Sequence, residues 1–343
     1  MEKVLTVSIA AYNVEKYLQQ TLESLVNNEI EVLIIDDGSK DKTANIAYQY
    51  EKRFPGIFKL IRKSNGGHGS TINKGIELAQ GKYFKIIDGD DWVNNADLVK
   101  LVDKLKMVDE DLILTHHVEV YEDSNTTNLC KATNNNFDKR MQFKEIILEN
   151  PFCMHQWCVK TELLKQNNIF IDENCFYVDN EFTLFCVPLI ESVRVLDLIV
   201  YMYRLGNVTQ SVSSESTMRH IDDLKRVVFS LIDNYQKSNY SPEKDVFVTC
   251  QIAGLARKVL NTYLSSPLSD VSVKEKLSDF CEEVQKASST IYSLMSEHIS
   301  YPLHMENLKY KRSRKRISDR WLNFLLTHSF FSWQLYSISR KNK

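Results

Sequence analysis

Short apolar runs rich in β-branched residues alternate with longer amphipathic runs through the first third of the chain. Five of the short runs predict strands: VLTVSIAA, EVLIID, IFKLIR, KYFKIID and DLILTHH. The runs between them, such as EKYLQQTLESLVNN and NADLVKLVDKLK, have the spacing of amphipathic helices. Strands that alternate with helices form crossover units, so we predict an α/β fold with a mainly parallel sheet covered by helices on both faces.

The pattern changes twice after residue 117. Residues 118–141 are polar and rich in Asn, which predicts an excursion or a mobile loop. Mixed helices and strands resume over 142–213, and nearly everything beyond 215 has helical spacing. We therefore predict an α/β domain over 1–214, in two parts (1–117 and 142–214), followed by an all-α region over 215–343.

Three of the predicted strands end in polar motifs: AAYN (10–13), DDGS (36–39) and DGDD (88–91). The carboxyl ends of parallel strands meet at one edge of a sheet, which is where such folds bind ligands. Asp88, Asp90 and Asp91 repel one another at this spacing unless a cation or water neutralises them. A hard divalent ion suits these carboxylates, and an Asp that caps the next helix is the structural alternative.

Composition restricts the function only weakly. The chain has 343 residues, 26% of them charged, and a net charge of −2, so it shows no overall bias toward nucleic acid or membrane. It starts directly with a strand pattern, lacks a signal-peptide pattern and has no eighteen-residue apolar run, so we expect a cytoplasmic protein. Its seven cysteines are an odd number, as expected for reduced thiols. The segment CMHQWC (153–158) suggests zinc, but no second cluster with ligand spacing follows it.

Five motifs, in this order, resemble those of the inverting, GT-A fold glycosyltransferases of family 2, which use nucleotide-diphosphate sugars. The motifs are VSIAAYN, IIDDGSKDKT, NGGHGSTINKGI, KYFKIIDGDDW and YVDNEF. The resemblance covers about residues 4–213. It implies a Rossmann-like GT-A domain whose donor half is 1–117 and whose acceptor half is 142–214.

The resemblance also implies roles on the donor side. Tyr12 would stack on the base, beside Ala10, and Asp37 would accept a hydrogen bond from the base. Asp88 and Asp90 would form the Asp-x-Asp motif that binds Mn²⁺ or Mg²⁺, while Asp91 is either a supporting group or a helix cap. The remaining donor contacts would come from Asn65, Gly67, His68 and Arg204.

The chain departs from the family pattern at two donor positions. Thr71-Ile72 stands where relatives commonly have Ala-Arg, so the usual cation for the diphosphate is missing. His68 or Lys74 is a candidate replacement. Ala10 stands where a Pro is common, which is a milder change.

Catalysis by inversion needs a carboxylate to take the proton of the acceptor hydroxyl. The resemblance assigns this role to Asp179, with Glu181 as a competitor two residues later and helix capping as the structural alternative. Trp157 and Lys160 match the acceptor segment of the family, although a Trp in this position is as often part of the core.

The resemblance implies work on cell-surface polysaccharides, with a nucleotide sugar as donor and a saccharide or lipid-linked acceptor. A basic and aromatic tail, 309–343, has the composition of an interfacial membrane helix, so we expect residues 309–338 to bind an anionic membrane at the inner face of the cell. Three alternatives remain: a catalytically silent scaffold that binds nucleotide sugars, an RNA-binding protein and a sugar nucleotidyltransferase. The sequence contains no recognisable RNA-binding module, so we predict no nucleic-acid partner.

Overall fold

The computed structural model describes residues 3–147, 152–206, 214–264 and 271–297. The chain forms two compact units, Met1–Gln210 and Ser211–Lys343. The first contains one large sheet and its covering helices, and the described part of the second is helical. The basic and aromatic tail over 309–343 lies outside the described residues.

The sheet has ten strands. They are β1 Leu5–Ala11, β2 Ile30–Asp36, β3 Phe58–Arg62, β4 Tyr83–Asp88, β5 Trp92–Val93, β6 Leu112–Tyr121, β7 Thr126–Cys130, β8 Arg140–Gln142, β9 Trp157–Lys160 and β10 Ser192–Leu205. Their order is β3-β2-β1-β4-β9-β6-β10-β5, with β7 paired to β6 and β8 paired to β10. The first four strands of this order are mutually parallel, and the sheet is mixed beyond β4.

Seven helices belong to the first unit: α1 Leu18–Ser24, α2 Thr43–Arg53, α3 Gly67–Leu78, α4 Asn95–Leu105, α5 Phe143–Ile146, α6 Thr161–Gln166 and α7 Asp179–Cys186. Short 3₁₀ turns occupy Met154–Gln156 and Val187–Leu189. The described helices of the second unit are α8 Ser214–Arg219, α9 Ile221–Lys237, α10 Pro242–Leu264, α11 Val271–Ala287 and α12 Ser289–Glu297.

The central strand β1 shows why helices cover both faces of the sheet. Successive side chains of a strand point to opposite faces. Val7 and Ile9 are fully buried in one core with Leu18 of α1 and Leu98 of α4. Ser8 faces the other side, where a Cβ on Gly75 of α3 would lie 2.1 Å from the Ser8 hydroxyl. Burial on both faces explains why β1 reads as a nearly continuous apolar run.

The structure differs from the sequence prediction over 118–141. Strand β6 continues to Tyr121, turns, and pairs with β7 as an antiparallel hairpin, so of the two predicted alternatives the excursion is right over 118–130 and the mobile loop is wrong there. Most of β7 is exposed, and its Thr and Asn side chains therefore lack the apolar alternation that marks a half-buried strand.

The helical unit also differs in one detail. The helical pattern over 273–295 predicts one helix, whereas the chain breaks it at Ser288 into α11 and α12. The Ser288 hydroxyl accepts a hydrogen bond from the Ile291 N–H at 3.3 Å, which caps the new helix. Within the described ranges, no helix combines the length and the apolar character needed to cross a bilayer.

Candidate active site

The polar ends of β1, β2 and β4 meet at one edge of the sheet, as the sequence predicts. Ala11 is opposite Asp36 in the β1–β2 register, and Ala10 is opposite Asp88 in the β1–β4 register. The Gly89 N–H donates to the Ala10 carbonyl at 2.9 Å. A Cβ on Gly89 would lie 2.8 Å from that oxygen, so the close approach of the acidic turn to β1 requires glycine.

Tyr12 is 46% exposed at this edge, directly after β1. Asp37, one residue beyond β2, is buried instead. Its carboxylate accepts hydrogen bonds from Lys63 Nζ at 2.6 Å and from the N–H groups of Gly66 and Gly67 at 3.0 and 2.8 Å. Because Asp37 is buried and already binds these donors, its contact with the nucleotide base stays a prediction.

Hydrogen bonds with the buried Asp37 therefore hold the Gly-rich turn at the start of α3 in place. Asn65 donates through Nδ2 to the Asp37 carbonyl at 3.0 Å, and Gly67 has φ +78°, which favours glycine. The N–H groups of Gly66 and Gly67 are thus directed at Asp37, and a contact between Gly67 and the donor stays a prediction.

Between the two candidate replacements for the missing Arg, the geometry favours His68. Ile72 is buried in the core, and Lys74 forms an ion pair with Glu77 at 2.7 Å on the helix surface. The His68 Nε2 atom lies 3.1 Å from Asp88 Oδ1. Burial lowers the pKa of His68, but the adjacent Asp88 carboxylate outweighs it, and the net effect raises this pKa.

The carboxylates of Asp88 and Asp90 have different surroundings. Asp88 accepts a hydrogen bond from the Tyr201 hydroxyl at 3.3 Å, and burial opposes the ionisation that His68 favours; the net pKa of Asp88 is lowered. The Asp90 carboxylate accepts no hydrogen bond from the side chain of any other described residue. Burial, followed by the charge of Asp88, raises the pKa of Asp90 to about 6. The two carboxylates offer oxygen ligands to a hard cation.

Asp91 has a structural role. Its carboxylate is buried and accepts hydrogen bonds from the Tyr201 hydroxyl at 2.5 Å and the Arg204 N–H at 2.7 Å. Burial, with the charge of Asp88, raises the pKa of Asp91 well above its usual range. The N-terminus of α4 is capped by Asn94, which accepts from the N–H groups of Ala96 and Asp97. Asp91 is therefore not the cap, and it joins the acidic turn to β10.

The guanidinium of Arg204 supports the same turn, so its predicted place over the donor phosphates is wrong. Nε donates to the Asp90 carbonyl at 2.7 Å, and the two terminal nitrogens contact Gln20 and Glu122. The rings of Tyr17 and Trp92 each lie 4.6 Å from the guanidinium carbon. Arg204 is buried and fully engaged by the protein.

Comparison with known proteins decides the family. Residues 6–166, which include the three strand ends, match the profile of Glycosyl transferase family 2. The chain therefore carries a family 2 glycosyltransferase domain. EpsJ of Bacillus subtilis (strain 168), named an uncharacterized glycosyltransferase, is 24% identical over 300 residues, which cover 81% of this chain and 83% of EpsJ.

A second curated relative and a solved structure are also similar to this glycosyltransferase. The poly(ribitol-phosphate) beta-glucosyltransferase of Bacillus spizizenii (strain ATCC 23059 / NRRL B-14472 / W23) is 28% identical over 171 residues, covering 48% of this chain and 26% of that enzyme. The crystal structure of S. aureus TarS, residues 1–349, in complex with UDP-GlcNAc has a TM-score of 0.66 and 17% identity, covering 99% of this chain and 92% of TarS. This likeness confirms the GT-A fold.

The predicted base of the glycosyltransferase, Asp179, lies at the first residue of α7 and is half-buried. It is close enough to the acidic edge that its charge raises the pKa of His68. Glu181 is fully buried and accepts the Asp172 N–H at 2.9 Å. The competing base thus has no access to an acceptor, which leaves Asp179 as the better candidate.

The two predicted acceptor residues are wrong. Trp157 is 1% exposed and packs on Phe143 and Phe182 in the core, so its ring offers no face to a sugar. Lys160 is opposite Tyr83, the first residue of β4, which is about 17 Å of strand away from Asp88. Its Nζ forms an ion pair with Asp109 at 3.1 Å.

Several residues of the site were not found by sequence reasoning. Tyr201 donates to Asp88 and Asp91, and the centre of the His155 ring lies 4.4 Å from the ring centres of both Tyr201 and Tyr203, in tilted arrangements. The alternation in the segment YMYR was a usable signal, because it points Tyr201 and Tyr203 to the same face of β10. Lys63 carried no such signal, since its contact with Asp37 depends on the turn.

Proposed function

We propose that this glycosyltransferase transfers a sugar, with inversion at the anomeric carbon, from a nucleotide-diphosphate donor to a hydroxyl of a saccharide or lipid-linked acceptor. UDP-sugars are the first donors to test. The observation that carries the proposal is the Asp90 carboxylate, which accepts no hydrogen bond from the side chain of any other described residue and lies beside Asp88 at a sheet edge where Tyr12 is exposed. The names of the relatives, a poly(ribitol-phosphate) glucosyltransferase and a UDP-GlcNAc-bound TarS, support a role in cell-surface polymer synthesis.

The donor set fits Mn²⁺ or Mg²⁺, which prefer carboxylate oxygens and share their shell with substrate phosphates. Asp88 and Asp90 would hold the ion. When bound, it would stabilise the negative charge that develops on the departing diphosphate, an effect worth several kcal/mol. The exposed ring of Tyr12 would stack on the base, and His68 would add a positive charge beside the acidic pair.

Proton transfer is assigned to Asp179. A carboxylate on the acceptor side accepts the hydroxyl proton while the hydroxyl oxygen attacks the anomeric carbon from the face opposite the diphosphate. Asp179 is the first residue of α7, and its charge reaches His68 at the acidic edge.

The cellular location belongs to the same proposal. A basic block and an aromatic segment at 309–338 have the composition of a segment that binds an anionic membrane surface. Such binding would hold the enzyme near a lipid-linked acceptor at the inner face of the membrane.

A thermal-shift screen of UDP- and GDP-sugars, with Mn²⁺ and with EDTA, tests the proposal. We expect at least one UDP-sugar to raise the midpoint of unfolding in the presence of Mn²⁺ and to release UDP on incubation. A catalytically silent scaffold would show the shift without UDP release. The absence of any nucleotide-dependent shift would contradict donor binding altogether.

A further inference from the structure

Three side chains with affinity for transition metals come together beside the acidic edge, although they are separated in sequence. The Sγ atom of Cys153 lies 3.8 Å from Nδ1 of His117 and 3.8 Å from Nδ1 of His155. The three potential ligand atoms lie within 4.8 Å of one another. His117 comes from β6. Cys153 directly precedes the 3₁₀ turn at Met154–Gln156, His155 is the middle residue of that turn, and the turn leads into β9.

These separations fit a tetrahedral metal. With a metal–sulfur bond of about 2.3 Å and a metal–nitrogen bond of about 2.0 Å, tetrahedral ligands S and N lie about 3.5 Å apart. The two observed S–N distances exceed this value by about 0.3 Å, a gap that small side-chain rotations close. We propose that His117, Cys153 and His155 form a binding site for a borderline divalent metal such as Zn²⁺, separate from the acidic pair.

The surroundings of His155 support this assignment. Its other ring nitrogen, Nε2, lies 3.9 Å from Asp88 Oδ2, and a histidine that binds a metal commonly directs its second nitrogen to a carboxylate. The backbone is held as well, because Lys85 Nζ donates to the carbonyls of His155 and Trp157 at 2.7 and 3.3 Å. Nδ1 therefore faces Cys153 in a fixed ring orientation.

Solvent reaches the proposed metal site, and its histidines also belong to other groups of potential metal ligands. His117 is buried, whereas Cys153 and His155 are partly exposed, so a water can complete the tetrahedron and the thiol proton can leave to solvent when the metal binds. Two other groups share a residue with it: His155 with Asp88 and Asp91, whose carboxylates already bind Tyr201, and His117 with Glu119 and Cys130 on the β6–β7 hairpin. There the Glu119 carboxylate already accepts from Asn128 and Tyr121, which makes this group the weaker candidate.

Cobalt provides the test, because Co²⁺ bound to a thiolate has a charge-transfer absorption that carboxylate sites cannot produce. Full-length protein is stripped with a chelator, dialysed and titrated with Co²⁺. We expect the thiolate band to saturate at one ion per chain and to disappear when Zn²⁺ displaces the cobalt. The band should be lost in Cys153→Ser, and it should remain in Cys130→Ser, in Asp90→Asn and in Cys250→Ser, a control that removes an exposed thiol of α10.

The wild-type titration decides the proposal even if a variant fails to fold. A wild-type protein without the thiolate band overturns it. Retention of the band in folded Cys153→Ser, or its loss in Cys130→Ser, assigns the metal to the hairpin group and overturns it as well. Loss in Asp90→Asn would show that the two sites are one. None of these outcomes depends on donor turnover, so the glycosyltransferase proposal is tested separately.

Discussion

Asp88 and Asp90 are two residues apart, and their different partners determine what each can do. Asp88 is kept ionised by His68, whereas burial and the charge of Asp88 keep the pKa of Asp90 near 6. A divalent ion removes the repulsion between the two groups, and it must compete with the proton on Asp90 below that pKa.

This competition predicts a pH dependence. Because the pKa of Asp90 is raised, the carboxylate is protonated below about pH 6 and free above it, so Mn²⁺-dependent UDP binding should weaken as the pH falls. We expect binding at pH 5 to be about tenfold weaker than at pH 7, measured by calorimetry. The same measurement on Asp90→Asn gives the part of the pH dependence that comes from titration of the nucleotide itself. Equal affinity at both pH values in the wild type would contradict the assignment.

Asp179 is tested through turnover. Asp179→Asn should leave donor binding near that of the wild type and lower kcat by about 100-fold or more, because an amide cannot accept the proton. Glu181→Gln is measured in parallel, with thermal unfolding as a check on its fold. An active Asp179→Asn together with a folded, inactive Glu181→Gln would place the base two residues later.

At the residue scale, the sequence predicts which side chains gather but not which of them pair inside the protein. Asp37, Asp91 and Arg204 all lie at the predicted edge, yet their charges are satisfied by Lys63, Tyr201 and the Asp90 carbonyl. These partners come from turns and from β10, and tertiary contacts of this kind leave no local pattern in the chain.

At the element scale, the acidic turn depends on β10. Arg204→Ala should lower the free energy of unfolding by about 1–3 kcal/mol, because it leaves the Asp90 carbonyl without its donor. Lys100→Ala, which removes an exposed ion pair with Asp97, is the control and should cost less than about 1 kcal/mol. Urea unfolding measures both. An unchanged stability combined with a raised KM for the donor would restore Arg204 as a phosphate ligand.

Strands β1 to β4 were predicted to within one residue at each end, because burial on both faces makes them continuous apolar runs bounded by turn residues. The two-residue strand β5 was not predicted, and β6 extends four residues beyond its predicted end. The hairpin of β6 and β7 was missed for the opposite reason, since an exposed strand keeps polar residues on both faces. The break at Ser288 was missed because a serine inside a helical pattern becomes a cap only when the chain turns there.

At the scale of the whole molecule, we predict that the C-terminal tail, residues 309–338, binds anionic membranes. Full-length protein should sediment with anionic liposomes at low salt, because each Lys or Arg near such a surface contributes about 1 kcal/mol. A chain that ends at residue 305 should stay in the supernatant, and high salt should release the full-length protein. Equal behaviour of the two chains would show that the tail does not provide membrane binding.

The most direct test of the metal-dependent donor site is UDP binding measured by calorimetry, with Mn²⁺ and with EDTA, in the wild type and in Asp90→Asn. Asp103→Asn, an exposed carboxylate of α4 paired with Lys106, is the matched control. We predict that the wild type and Asp103→Asn bind UDP about 100-fold more tightly with Mn²⁺, a difference of about 2.7 kcal/mol, and that Asp90→Asn loses this gain. Equal UDP affinity with and without the metal in the wild type, or a full metal-dependent gain in Asp90→Asn, would contradict the account.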